Sequence, residues 1–171
     1  MTDDPLGDAL GKLAFVTGAL REFELPHAEL APPEFENSFA VGAAVRLEAG
    51  FVVVSVPLGG QFEIYVTGGA ILDVPPDNKL DILTTCNDTN SGWGTPACFL
   101  HDAEDTWSIL VQHKFPLPIV SDLPPYFRGI LDSVASATVE LSEKFAEAGL
   151  GGRPWTWEVE NLKRLLIKSV F

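Results

Sequence analysis

The chain has 171 residues, 11 basic against 24 acidic, for a formal net charge of −13. That length supports one full hydrophobic core and is short for two, while the negative surface repels phosphate backbones and excludes nucleic acid as an expected partner. Thr2-Asp3-Asp4 puts negative charge where a signal peptide needs positive, no apolar run approaches the roughly 20 residues of a spanning helix, and the two cysteines are too few for a disulfide framework; a reduced, cytoplasmic chain that does not engage a membrane is expected.

The first helix is announced by Asp4 as N-cap, Pro5 at the first helical position and Asp8 in the first turn. Leu6, Leu10, Leu13, Thr17 and Leu20 recur at helical spacing and predict its buried face. Residues 24–37, with Pro26, Pro32 and Pro33, read as a connection with little regular structure. From Val45 the period changes to two. Val45 and Leu47 alternate with Arg46 and Glu48, Ala49-Gly50 makes a tight turn, and Val52, Val54 and Val56 alternate with Phe51, Val53 and Ser55. A three-residue loop, Leu58-Gly59-Gly60, then sets Val56 opposite Phe62, Val54 opposite Ile64 and Val52 opposite Val66. A two-residue loop would instead put Glu63 opposite Val56, and a one-residue slip flips every side chain.

After the Pro75-Pro76 break a helix starts near Asp77 or Asn78, with Leu80, Leu83, Asn87 and Asn90 along one stripe. A hairpin closed by Asp102-Ala103-Glu104-Asp105 pairs Leu100 with Trp107 and Cys98 with Ile109 on the core side, placing Phe99 and Leu110 opposite. A long helix capped by Ser121 or Asp122 carries Phe127, Ile130, Leu131, Val134, Leu141 and Phe145 and ends at Gly149, Gly151 and Gly152. A last helix after Pro154, about a dozen residues long, carries Val159, Leu162, Leu166 and Val170. The order is α-β-β-β-α-β-β-α plus a C-terminal helix: an α+β fold with an antiparallel sheet of about five strands and helices packed against it. Residues 1–152 form one domain and 153–171 a helical extension.

Four of these pieces together resemble the YbjN-like domains, which share their fold with the type III secretion chaperones. They are Ile71-Leu72-Asp73-Val74-Pro75, the pair Asn87 and Asn90, the turn Gly92 to Gly94, and Pro116 breaking the last strand. The resemblance spans roughly residues 5 to 148. It implies a small acidic domain, usually a homodimer, that binds an unknown peptide or partner protein without chemistry, cofactor or metal. Asn87 and Asn90 carry most of the match. Read from the residues, Asn90 caps the helix end in a left-handed conformation and Asn87 bonds the adjacent loop, in preference to a polar pair that fixes the next strand or touches a peptide.

No catalytic constellation is present. His113 lacks a nucleophile motif around it, and Cys86, Cys98 and His101 lack the fourth partner of a zinc site. The loop of Asp102, Glu104 and Asp105 lacks the ligand spacing and central glycine of a calcium loop. The sheet face of Phe51, Val53, Tyr65, Phe99 and Leu110 is half apolar where a solvated face would alternate cleanly. Two readings stay open for it: cover from within the chain, or a surface for a second subunit or an extended peptide. Charge bears on the C-terminal helix. Arg153, Lys163, Arg164 and Lys168 against Glu158 and Glu160 give residues 150–171 a net +2, so with −13 over the whole chain the other 149 residues hold −15. That contrast predicts a tail docked on the body or on a second copy, with Leu162 and Leu166 buried.

Overall fold

The computed structural model describes residues 4–30, 39–59, 63–93, 96–103, 106–116, 123 and 125–170. Helix α1 (Pro5–Glu22) begins where Asp4 accepts a hydrogen bond from Gly7 N at 3.0 Å and Pro5 presets φ. It ends in a Schellman turn built without glycine. Glu24 takes a φ of 54°, its N–H bonds Arg21 O, and Leu25 N bonds Leu20 O. The buried face is Ala9, Leu13, Val16, Thr17 and Leu20, so the expected stripe is rotated, and Leu6 and Leu10 stand 38% exposed.

Six antiparallel strands run in the order β1-β2-β3-β4-β6-β5. They are β1 (His27–Leu30), β2 (Ala40–Arg46), β3 (Phe51–Pro57), β4 (Glu63–Val74), β5 (Ala97–Ala103) and β6 (Thr106–Pro116). The sheet has one strand more than expected. β1 pairs with β2 at the edge, inside the proline-rich connection, where four residues are too few to show a period. β2 begins five residues before Val45. Its sequence Ala-Val-Gly-Ala-Ala shows no alternation because both of its faces are buried.

Two hairpin registers differ from expectation by two residues. Val54 pairs with Val66 rather than Ile64, and Cys98 pairs with Val111 rather than Ile109. A shift of two preserves parity, so Val52, Val54, Val56, Ile64, Val66, Cys98, Ile109 and Val111 still share the inner face. The β2–β3 turn also lies one residue early. Arg46 pairs with Phe51 and Leu47 N bonds Gly50 O, which leaves Glu48-Ala49 at the tip. Glu104 and Asp105 lie outside the described residues.

The inner face is packed by α1 and by α3 (Phe127–Glu147), whose Phe127, Ile130, Leu131, Val134, Leu141 and Phe145 are all buried. α3 starts at Tyr126 without a side-chain cap; the expected caps Ser121 and Asp122 lie outside the described residues. It ends in a second Schellman turn, with Gly149 at φ 65° and Leu150 N on Phe145 O. Gly68 in β4 lets α3 approach, since a Cβ there would collide with Thr138 Oγ1. α2 (Lys79–Trp93) follows a 3-10 turn (Pro76–Asn78) and packs on edge strand β5 through Ile82, Cys86 and Thr89. Leu80 is 76% exposed, so the buried stripe of α2 is not the expected one of Leu80, Leu83, Asn87 and Asn90. α4 (Val159–Lys168) crosses the other face of the sheet.

Candidate binding surface on the outer sheet face

The outer face carries the residues expected to meet a partner, and the chain's own tail covers most of them. Val53 and Leu110 are fully buried, and Phe51 and Phe99 are half buried, beneath Trp155, Trp157, Leu162, Leu165 and Leu166. Of the two readings left open for this face, cover from within one chain describes the folded state. Tyr65 is half buried on this face, opposite Ser55 of β3. Its hydroxyl donates to Glu63 at 3.0 Å, and Lys114 Nζ sits 5.4 Å from its ring centroid.

The tail comes this close because two strands carry glycine on the outer face. A Cβ on Gly42 would lie 2.6 Å from Leu166 Cδ1, and one on Gly69 would enter the Trp155 ring. Within α4 the buried side is Asn161, Leu162, Leu165, Leu166 and Lys168, about a quarter turn from the expected stripe. Val159 is 58% exposed and Val170 partly buried, so Val159 is not a docking residue. Polar contacts set that rotation. Ser169 Oγ donates to Ser55, Gln112 Nε2 donates to Ser169 O at 2.7 Å and to Thr67 Oγ1 at 3.0 Å, and Lys168 Nζ lies 3.1 Å from His101 Nδ1. A sheet side chain thus supplies the donor that a helix C-terminus otherwise lacks.

The tail is anchored at its start as well. Leu72 and Arg153 exchange two backbone hydrogen bonds of 2.8 Å. Arg153 and Arg164 both reach Asp73, at 2.6 Å and 3.2 Å. Asp73 sits at an irregularity of β4 with a φ of 55°, a left-handed conformation that Asp tolerates better than most residues. Burial raises its pKa, and the two guanidiniums outweigh that, so it stays below the ordinary aspartate value. Phe51 meets Trp157 edge-on at 5.6 Å, and Arg46 lies 4.6 Å over the same indole.

Asn90 lies inside α2, not at a left-handed cap. Its amide donates to Cys98 O at 2.7 Å and accepts from Cys98 N at 2.6 Å. It therefore fixes the following strand, satisfying the N–H and C=O of one residue on the open edge of β5 as a neighbouring strand would. Asn87 is exposed, and its carbonyl accepts from Ser91 Oγ at 2.9 Å. Cys86 and Cys98 meet on the inner side of β5, while His101 faces α4. Among the described residues no group of three His, Cys, Asp or Glu side chains could hold a metal. His113 pairs across β4 with Val66 and is half buried. No helix among the described residues is long and apolar enough to cross a membrane.

Solved structures share this architecture, among them the two that follow. YbjN from E. coli, described as a candidate transcription regulator, superposes with a TM-score of 0.60 at 13% identity, over 83% of this chain and 95% of its own. An uncharacterized protein from Methanothermobacter thermautotrophicus superposes with a TM-score of 0.54 at 16% identity, over 81% and 98%. The fold is YbjN-like. No family model and no curated protein sequence matches the chain.

Two outcomes follow from the anchors. Asn90→Ala removes two hydrogen bonds to the backbone of one residue and is expected to lower unfolding free energy in urea by about 1–3 kcal/mol, whereas Asn87→Ala changes it by less than about 0.5 kcal/mol. Because the pKa of Asp73 is lowered on folding, its contribution is fully present above the unfolded value of about 3.9 and is lost as pH falls through the lower folded value. The stability difference between wild type and Asp73→Asn is therefore expected to hold constant from about pH 7 to pH 5 and to shrink once pH falls below about 4. Its plateau stays below about 1 kcal/mol, since both partners are solvent-screened.

Proposed function

We propose that this chain is a non-enzymatic protein-binding domain, chaperone-like or regulatory, whose outer sheet face captures an amphipathic partner segment in the place its own tail holds. Residues 1–152 are the binding domain and residues 153–171 its self-occupying extension. The carrying observation is the nature of that occupant. α4 has ten residues, too few to persist as a helix alone in water, and its apolar side is matched to a face rich in small residues. The connector that joins it to α3 contains three glycines at positive φ, Gly149, Gly151 and Gly152. A helix held in an apolar groove is a recurring mode of peptide recognition, and a tail that fills the groove sets a threshold a partner must exceed.

The body's charge of −15 favours a partner segment with cations flanking its apolar stripe, as Arg153 and Arg164 flank this one. The capture residues are Phe51, Val53, Phe99 and Leu110, with Tyr65 at the rim. With that face filled inside one chain, a homodimer is carried by the fold likeness alone. A cytoplasmic location rests on composition. The alternative, a subunit that docks into a larger assembly through its last helix, loses support because the apolar side of that helix already faces its own sheet.

The test is a lid-released variant, Leu162→Asp with Leu166→Asp, titrated with a fluorescently labelled synthetic peptide of residues 153–170. The variant is expected to keep a cooperative thermal transition and to raise the peptide's anisotropy saturably, while wild type does not. A variant without a thermal transition, or a folded variant that leaves the peptide free, contradicts the reading.

A further inference from the structure

One buried pair of nucleophiles has no part in that role. Cys86 Sγ and Cys98 Sγ lie 3.0 Å apart, both buried, one on α2 and the other on edge strand β5. A disulfide needs about 2.0 Å, so closure takes a side-chain adjustment rather than a rearrangement of the fold. The juxtaposition is built. Cys86 and Asn90 are four residues apart and share one face of α2, and both act on the same residue of β5. Asn90 holds the Cys98 backbone at its N–H and its carbonyl, which fixes where the Cys98 side chain points.

We propose that Cys86 and Cys98 form a peroxide-oxidisable dithiol that closes to an intramolecular disulfide and cross-links α2 to the edge of the sheet. The Cys98 thiol donates toward Cys86 Sγ, which favours the Cys86 thiolate; keeping that proton, together with burial, pushes Cys98 up. The roles follow. Cys86 thiolate attacks one oxygen of hydrogen peroxide, the O–O bond breaks, hydroxide leaves, and Cys86 becomes a sulfenic acid. Cys98 sulfur then attacks the Cys86 sulfur, the S–O bond breaks, and the oxygen departs as water with the Cys98 proton. In sum two thiols are oxidised and one peroxide is reduced to two waters. A peroxide is small enough to reach sulfurs that burial shields from bulky disulfide reagents.

The experiment exposes the folded full-length chain to hydrogen peroxide, quenches with catalase, denatures, and titrates thiols alongside intact mass and peptide mapping. Both thiols are expected to disappear together and the mass to fall by two hydrogens. Peptides containing Cys86 and Cys98 should be linked within a monomer, and dithiothreitol should restore the starting mass. The oxidised form is expected to melt roughly 5 °C higher, since a closed loop of this size restricts the unfolded chain. Thiols that stay titratable at a dose that oxidises free cysteine would overturn the proposal. So would oxygen adducts on single cysteines, or cross-linked dimers, as the main product.

Discussion

Everything on the outer side of this molecule depends on one constraint: strands β2, β3 and β6 carry buried apolar side chains on both faces. Ala44, Val53 and Leu110 reach zero exposure on the side away from α1 and α3, so a second layer has to exist. The chain supplies it from its last residues. Leu162, Leu165, Leu166 and Trp155 seal a cluster separate from the main core. At about 2 kcal/mol or more for each large apolar side chain removed from water, this packing is the largest favourable contribution to docking the tail.

The polar anchors have a different role. Ion pairs as exposed as those of Asp73 contribute at most about 1 kcal/mol each, and the exchange between Leu72 and Arg153 replaces backbone hydrogen bonds that water would otherwise supply. They decide where the tail begins and how α4 is rotated, more than how tightly it holds. The Gln112–Ser169–Ser55 contacts show this plainly. They bring Ser169 toward the sheet and leave Val159 in solvent, against the order hydrophobicity alone prefers.

Much of this was legible in the residues, and the failures share physical causes. Face assignments survived in both hairpins because burial fixes parity, while loop length is fixed by turn geometry that apolar matching does not sense. Strand β2 was missed in its first half because Ala-Val-Gly-Ala-Ala, buried on both sides, has no period to read. In α1 and α2 small and polar residues such as Ala9 and Thr89 share the contact while Leu6, Leu10 and Leu80 stand outside it, and in α4 the contacts of Ser169 accompany the turn away from Val159. The residues around Asn90 point to a helix cap, since a side chain that imitates a neighbouring strand leaves no local signature. The signal for the covered outer face was present in Gly42 and Gly69. Glycine inside an otherwise β-forming strand marks a close approach, here by Leu166 and by Trp155.

The claim that the tail is a docked but replaceable layer is tested most directly by native-state amide hydrogen exchange on the full chain, resolved by residue. The amides of Leu162 and Ser169, bonded to Glu158 O and Leu165 O, are expected to be protected. They should open at a free energy clearly below that of α3 and the central strands, as a separate cooperative unit. Exchange of α4 at random-coil rates would mean the tail does not dock. Exchange of α4 only together with β3 and β4, at the global unfolding free energy, would make it an inseparable part of the core and contradict the capture of a partner in its place.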